Sequence, residues 1–227
     1  MLNILEENIL NKRVLIVGAS RGIGLGFAKI FSNNGWEVHA TVRNNAGEEK
    51  LSEIHNNISI HRLDVGRDQQ ITQLAQRFND KPIDLLVHNA GIYGKNIDEK
   101  DVLQINSIAP FNVVTNFLPI VVQSAQKKIA LLTSKMGARN GGPTPSDTYG
   151  KSKCALNDRF RQTEPNWRSQ GAISVVLHPG WVATDMGGKS APVSVLDSVS
   201  GMHQVLHDLQ PSQSGSFLTW EAKKHPW

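Results

Sequence analysis

Residues 14–24 read Val14-Leu15-Ile16-Val17-Gly18-Ala19-Ser20-Arg21-Gly22-Ile23-Gly24. Four apolar residues in succession predict a buried strand, and the glycines that follow predict a tight turn that opens a helix. Such a turn lets phosphate oxygens approach the backbone N–H groups at the helix N-terminus. The GxxxGxG spacing therefore favours a dinucleotide-binding unit, although three glycines in seven residues also occur in an ordinary turn.

Short apolar runs alternate with helical patterns along nearly the whole chain. Further strands are predicted at 38–42, 58–63, 83–87, 129–132, 173–177 and 217–219, and helices at 22–33, 48–54, 68–78, 101–124 and around Tyr149. Continuous apolar strands separated by helices are typical of a parallel sheet covered on both faces. The sequence predicts an α/β fold, a Rossmann-type doubly wound parallel sheet of about seven strands, in a single domain over residues 1–227.

Three prolines fall inside predicted helices. Pro110 and Pro119 are expected to bend or interrupt the helix at 101–124, because proline lacks the N–H that a helix needs. Pro165 either kinks the helix that contains Tyr149 or ends it, and the sequence leaves both readings open.

Composition narrows the class of partner. The chain has 227 residues, with 39% hydrophobic and 19% charged residues, so we expect a packed core. The net charge is +4, but the basic residues are scattered, which argues against a nucleic-acid surface. A phosphorylated cofactor is a sufficient anionic partner, and a mildly basic surface without a purpose is the alternative.

Targeting and metal signals are missing from the sequence. Cys154 is the single cysteine, so neither an internal disulfide nor a cysteine metal site can form, and the histidines lack ligand spacing. Met1–Asn11 does not have the pattern of a signal peptide, and no apolar run reaches the roughly 20 residues of a membrane span. We expect a cytoplasmic protein with neither a metal nor a membrane contact.

Tyr149 and Lys153 are four residues apart and share one face of a helix. A lysine ammonium favours the phenolate, so it is expected to lower the pKa of Tyr149 from its ordinary value of about 10. A tyrosine tuned in this way can exchange a proton with an alcohol oxygen, while a bound dinucleotide exchanges hydride. The two residues and the glycine turn together predict a carbonyl–alcohol oxidoreductase.

The end of the second strand bears on the choice of cofactor. A carboxylate at this point binds the ribose 2′-OH of NAD, whereas an arginine accommodates the 2′-phosphate of NADP. The strand ends with Thr41-Val42-Arg43-Asn44, without an acidic residue, and Arg43 and Arg21 flank the expected adenosine ribose. NADP(H) is therefore predicted, with a solvated surface charge as the alternative reading of Arg43.

The chain resembles the short-chain dehydrogenase/reductase superfamily through an ordered set of motifs. Beside the glycine turn these are Leu63-Asp64-Val65, His88-Asn89-Ala90-Gly91, Gln104-Ile105-Asn106, Thr133-Ser134, the YxxxK motif Tyr149–Lys153, and Pro179-Gly180-Trp181-Val182-Ala183-Thr184-Asp185-Met186. The short length and the last of these stretches are most similar to the C-factor and sniffer-type carbonyl reductase group. His88 in place of the family's first Asn, and Gly150-Lys151-Ser152 inside YxxxK, depart from the usual pattern.

The resemblance implies the following roles. Tyr149 is the general acid for carbonyl reduction and the base for the reverse reaction, and Lys153 lowers its pKa and binds the nicotinamide ribose. Ser134, with Thr133 as a rival, polarises the carbonyl, and Asn106 holds the lysine and a proton-relaying water. The implied cofactor contacts are Gly18, Ser20, Arg21, Gly22, Ile23, Gly24, Arg43, Asp64, Val65, Asn89, Ala90, Gly91, Tyr149, Lys153, Pro179, Gly180, Val182 and Thr184.

Two further functions stay open. One is an NAD(P)-binding, C-factor-like signalling or regulatory protein with vestigial catalysis, against which every catalytic position holds a competent residue. The other is a sugar-nucleotide epimerase or dehydratase, whose chains are longer and use GxxGxxG. A homodimer or homotetramer is implied by the resemblance. An apolar pocket for a small carbonyl or alcohol substrate is expected to be bordered by Tyr93, Met136, Gly141-Gly142-Pro143, Trp181 and Met186.

Overall fold

Seven parallel strands form the central sheet of this α/β protein. The computed structural model describes residues 12–54, 58–78, 81–141 and 147–227. The strands are β1 Arg13–Val17, β2 Glu37–Val42, β3 Ile58–Arg62, β4 Leu85–His88, β5 Lys128–Leu132, β6 Ile173–His178 and β7 Ser216–Thr219. They lie side by side in the order β3-β2-β1-β4-β5-β6-β7. This architecture confirms the predicted doubly wound Rossmann-type sheet.

Helices connect the strands and cover the sheet. They are α1 Gly22–Asn33, α2 Asn45–Ser52, α3 Asp68–Gln76, α4 Glu99–Leu103, α5 Ala109–Val121, α6 Thr148–Ser169 and α7 Val195–Asp208. Two predictions fall outside the described residues, namely the segment Met1–Asn11 and the pocket positions Gly142 and Pro143.

Each face of the sheet has its own hydrophobic core, because successive strand residues point to opposite faces. Leu15 and Val17 of β1 belong to a cluster with the buried sides of α3, α5 and α6. Val14 and Ile16 belong to a second cluster with α1, α2 and α7. The continuous apolar run of β1 is therefore buried on both sides, as expected for a central parallel strand.

The predicted helix at 101–124 is three pieces. A π-helical turn, Gln104–Ile108, separates α4 from α5. Pro110 occupies the first turn of α5, where a missing N–H is tolerated, and Pro119 lies inside α5. Pro165 does not end α6, which continues to Ser169. A π turn of this kind is often found at a functional site, and here it contains Asn106.

Helix α7 was not predicted. Its buried residues Val199, Met202 and Leu206 have helical spacing, and Ser194 caps its N-terminus by accepting a hydrogen bond from the Asp197 N–H. The intervening serines and a glycine weakened the periodic signal. The helix packs against α1 and so completes the cover on the glycine-turn side of the sheet.

Candidate active site

The predicted site residues meet at the carboxyl edge of the sheet. β1 pairs with β2 on one side and with β4 on the other, so the order of the strands reverses beside β1. In an open α/β sheet, ligands bind in the crevice at such a reversal. The segments that follow β1, β4, β5 and β6 therefore share this edge; they are the glycine turn, residues 89–91, Ser134 and residues 179–184.

The glycine turn is held tightly against β4. Gly18 has φ +87°, and a Cβ there would lie 2.8 Å from the backbone of Ala90. A Cβ on Gly24 would lie 2.0 Å from the carbonyl oxygen of Gly18. The Asn89 side chain donates a hydrogen bond of 2.6 Å to the same oxygen. Side chains larger than hydrogen are excluded at both glycines, so the turn is fixed before any ligand binds.

The N-terminus of α1 fits a cofactor diphosphate. Arg21 precedes the helix without a side-chain cap, and no acidic residue lies in the first turn. Free N–H groups and the positive end of the helix dipole both favour an anion at this point. Gly22 has φ +53°, and a Cβ there would lie 3.1 Å from the methyl group of Thr184. The absence of a side chain at Gly22 keeps the space between the helix N-terminus and Thr184 free.

The predicted adenosine side is largely solvent-exposed. Arg43 follows β2 and is exposed, and Asn44 beside it caps α2. Arg21 does not lie free for a phosphate, because its guanidinium donates to the Asp185 carboxylate at 2.9 Å. Asp64 is partly exposed and accepts a hydrogen bond from the Gly66 N–H, while Val65 is buried.

The predicted nicotinamide side is a stiff loop after β6. Gly180 has φ +90°, and a Cβ there would lie 3.0 Å from the indole nitrogen of Trp220. The Ser198 hydroxyl donates to the carbonyl oxygen of Pro179 at 2.6 Å, which ties the loop to α7. Val182 is buried, and the Thr184 hydroxyl accepts from the Gly187 N–H at 3.1 Å. Packing therefore fixes this wall of the crevice.

Asn106 joins two segments of the site. Its side-chain oxygen accepts from the Ile92 N–H at 2.8 Å, and its amide donates to the Ile92 carbonyl at 2.8 Å and to the Ser152 hydroxyl at 2.9 Å. Ser152 in turn donates to the carbonyl oxygen of Tyr149 at 2.7 Å. The expected hold on Lys153 is thus indirect: Asn106 bonds the helix turn that contains the lysine.

Lys153 is buried, with 5% of its surface exposed. Its ammonium donates to the Leu132 carbonyl at 2.9 Å and lies 5.8 Å from the centre of the Tyr149 ring. Burial lowers the pKa of Lys153 to about 8, since a charged amine loses hydration there. The lysine therefore titrates close to neutral pH.

The expected lowering of the Tyr149 pKa is wrong for this arrangement. Burial raises the pKa of Tyr149 to about 12, and the Asp147 carboxylate and Tyr93 add to the rise. Loss of hydration around the phenolate is the largest cause of the rise, and the spacing of Tyr149 and Lys153 in the sequence did not reveal it. The phenol is accordingly held in its protonated form at neutral pH.

The hydroxyl groups of Thr133 and Ser134, which follow β5, differ in their hydrogen bonds. The Thr133 hydroxyl donates to the Asn157 side chain at 2.6 Å, which in turn donates to the carbonyl oxygen of Gly137 at 3.0 Å. The Ser134 hydroxyl accepts from the Met136 N–H at 3.1 Å. Its own proton remains available to an incoming acceptor, whereas that of Thr133 is already used.

Three supporting residues were missed by the sequence analysis. Asp147 caps α6 by accepting from the Gly150 N–H at 2.6 Å, a role signalled by an acidic residue just before a helix. Ser152 and Asn157 lie on α6 at helical spacing from Tyr149, which is the signal that could have indicated them.

His88, in place of the family's Asn, is buried, and its Nε2 atom has no hydrogen-bond partner among the described residues.

Fold and site together define the class of protein. The family model described as short chain dehydrogenase matches residues 12–193, and the chain belongs to that family of oxidoreductases. It is 37% identical over 158 residues to the C-signal protein of Myxococcus xanthus, covering 64% of this chain and 93% of the relative.

Solved carbonyl reductases share the whole fold. An NADPH-bound carbonyl reductase from chicken fatty liver matches with a TM-score of 0.85 at 35% identity, covering 95% of this chain and 99% of the other. The carbonyl reductase Sniffer of D. melanogaster matches with a TM-score of 0.85 at 28% identity, covering 96% of this chain and 100% of the other. The predicted relationship to the C-factor and sniffer-type group is confirmed.

Among the described residues, no helix is long and apolar enough to cross a membrane. Within those ranges, no group of three or more His, Cys, Asp or Glu side chains could hold a metal ion.

Proposed function

We propose that this protein is an NADP(H)-dependent reductase that converts an aldehyde or ketone to an alcohol, reversibly. One observation carries the proposal: Lys153 lies buried 5.8 Å from the Tyr149 ring, on a helix turn that Asn106 fixes through Ser152. Burial of a lysine amine is costly, and an ammonium beside the phenol can stabilise the negative charge that develops on the phenol oxygen during proton transfer.

Tyr149 acts as the proton donor. With its pKa raised to about 12, the phenol holds its proton at neutral pH until a carbonyl oxygen becomes basic during reduction. Lys153, with its pKa lowered to about 8, is the group that replaces this proton, because both its charged and neutral forms are accessible near neutral pH.

Ser134 orients the carbonyl. Its hydroxyl already accepts a hydrogen bond from the Met136 N–H. The proton of the hydroxyl is therefore the one that Ser134 donates to the carbonyl oxygen of the substrate. The commitment of Thr133 to Asn157 favours Ser134 over its neighbour for this role. NADPH, when bound along the glycine turn, supplies the hydride to the carbonyl carbon.

NADP(H) is the proposed cofactor because of Arg43. Arg43 is exposed and follows β2, the place where this kind of fold binds a 2′-phosphate. Within the part of the chain that the structure describes, no acidic side chain forms a salt bridge with Arg43. The related carbonyl reductase from chicken fatty liver is NADPH-bound, which agrees with this choice.

The proposal is tested by following NADPH oxidation over a panel of aldehydes and ketones. Wild-type protein is expected to turn over at least one of them, and Tyr149→Phe to lose about 100-fold or more in kcat while it still binds NADPH. Cofactor binding is measured by quenching of tryptophan fluorescence, and folding of the variant by its melting temperature. Full turnover by Tyr149→Phe would remove the assigned acid.

A binding protein with a signalling role is the second candidate, favoured by the 37% identity to C-signal. It predicts tight NADPH binding without turnover of any carbonyl, in wild type and Tyr149→Phe alike. The same assay therefore separates the two candidates.

Assembly and location stay predictions. A homodimer or homotetramer is proposed because of the family resemblance, and a cytoplasmic location is proposed from the sequence patterns alone. The outer face of α6 is polar, with Arg159 over the Phe111 ring at 5.0 Å and Arg161 over the Trp227 ring at 5.5 Å. Gel filtration with light scattering measures the assembly directly.

A further inference from the structure

Tyr93 covers the ring of the proposed acid. The two tyrosine rings are stacked, with centroids 5.2 Å apart and planes at 29°. Tyr93 lies in the loop after β4 and is 47% exposed. A ring in this position contacts Tyr149 on one face and solvent, or a substrate, on the other.

The loop holds Tyr93 from both sides. Before it, Ile92 is bonded through both its N–H and its carbonyl to the Asn106 side chain, each at 2.8 Å. After it, Gly94 has φ +87°, and a Cβ there would lie 2.6 Å from the Val102 side chain. The backbone next to Tyr93 is thus anchored by the same asparagine that bonds the helix turn of Tyr149 through Ser152.

Asp147 closes the connection. One carboxylate oxygen accepts from the Tyr93 hydroxyl at 3.4 Å, and the other caps α6 by accepting from the Gly150 N–H at 2.6 Å. The loop after β4 and the first turn of the helix that contains Tyr149 are therefore joined by one side chain.

We propose that Tyr93 and Asp147 are positioning residues for Tyr149: the Tyr93 ring restrains the Tyr149 ring, and Asp147 links Tyr93 to the first turn of α6 through a long hydrogen bond. The inference rests on the proposed function for its effect on catalysis. The groups that face the Tyr149 phenol are Tyr93 from the β4 loop, and Asp147 and Lys153 from α6. Asp147 and Tyr93 both act to keep the phenol protonated, in addition to burial.

The first test needs no substrate. Tyr93 and Tyr149 are the only two tyrosines of the chain, so ultraviolet absorbance titration of Tyr93→Phe reports Tyr149 alone. Tyr149 is expected to titrate about one pH unit lower in Tyr93→Leu than in Tyr93→Phe, because the covering ring is gone. Tyr93→Phe/Asp147→Asn is expected to shift in the same direction, since Asn keeps the cap and removes the charge. Circular dichroism at each pH confirms that the fold persists.

The second test is kinetic. Tyr93→Leu is expected to lower kcat about tenfold with an unchanged KM for NADPH, and Tyr93→Phe to lie between it and wild type. Ile97→Ala, in the same loop and 43% exposed, is the matched control and is expected to behave as wild type.

The two tests separate the inference from the function on which it rests. Unshifted titration in both Tyr93→Leu and the double variant, with kcat within twofold of Ile97→Ala, overturns the positioning role. Shifted titration in a protein that reduces no carbonyl supports the contact and contradicts the proposed function alone.

Discussion

The catalytic end and the adenosine end of the crevice are built in opposite ways. Asn106 is fully buried and Lys153 is 5% exposed; Asn106 makes three hydrogen bonds within the protein, and Lys153 donates one to the Leu132 carbonyl. At the other end, Arg43 is exposed and the side chain of Arg21 is 66% exposed. The first region is ordered by the protein itself, whereas the second depends on what binds to it.

The difference shows where precision is required. Proton transfer needs atoms placed to within a fraction of an ångström, so a rigid, internally bonded frame serves it. Recognition of a phosphate by a long arginine tolerates motion, because charge acts over a longer range. We therefore expect substitutions at the buried end to change kcat, and substitutions at the exposed end to change cofactor affinity.

Apart from the loss of Tyr149 itself, the largest effect is expected for Asn106→Ala. The substitution leaves the Ile92 N–H, the Ile92 carbonyl and the Ser152 hydroxyl without their partner, and kcat is expected to fall about 100-fold through misplacement of Tyr149 and Lys153. Steady-state kinetics and the melting temperature report the change.

The matched control is Asn112→Ala on α5, which removes a surface hydrogen bond to Asp68. It is expected to keep wild-type kcat. Equal losses in the two variants would contradict a special role for the buried asparagine.

The buried end is also expected to be sensitive to acid. Burial lowers the pKa of His88 from 6.5 to about 3, with Lys153 adding to the shift. Between these values the unfolded chain binds a proton that the folded chain does not, so stability falls as pH drops through that window. The loss is about 2 kcal/mol between pH 7 and 5, or roughly 30-fold in the unfolding equilibrium.

Urea unfolding of wild type and His88→Asn at several pH values measures this effect. The free energy of unfolding is expected to vary less with pH in the variant, whatever its absolute stability. Parallel pH dependences in the two proteins would show that His88 is not the group responsible.

The sequence predicted the sheet better than the electrostatics. Apolar runs such as Val14–Val17 identify buried strands because burial leaves a direct mark on composition. The rise in the Tyr149 pKa was not predictable, since it depends on how much water surrounds the phenol. Spacing on a helix reveals Lys153 as a neighbour, but it carries no information on hydration or on Tyr93 from a distant loop.

The hydrogen-bond partners of the site residues were likewise not predictable from the sequence. The sequence favoured Ser134 over its rival Thr133 by its position after the strand, but it gave no sign of the contact from Thr133 to Asn157 that supports this choice. From the sequence, Arg21 and Arg43 were equally good candidates for binding the 2′-phosphate, but in the structure Arg21 is paired with Asp185. Partners that come from remote parts of the chain decide these roles, and a local pattern does not report them.

At the exposed end, Arg43→Ala is expected to weaken NADPH binding about tenfold or more and to leave NADH binding within twofold. A charge-assisted hydrogen bond to a phosphate is worth about 1.5–3 kcal/mol, and NADH lacks that phosphate. Fluorescence titration with both cofactors measures the ratio, with Arg77→Ala, at an exposed arginine that follows the C-terminal end of α3, as control. Equal weakening for the two cofactors would contradict the assignment.

The smallest effect is expected for Arg21→Ala. Exposed ion pairs contribute about 0–1 kcal/mol, so loss of the bridge to Asp185 is expected to change NADPH affinity threefold or less. Asp185→Asn breaks the same bridge and keeps Arg21, and the two variants are expected to match. A tenfold loss in Arg21→Ala alone, restricted to NADPH, would move the phosphate-binding role from Arg43 to Arg21. In that case Arg21 would break its salt bridge with Asp185 when the cofactor binds and would form one with the 2′-phosphate instead.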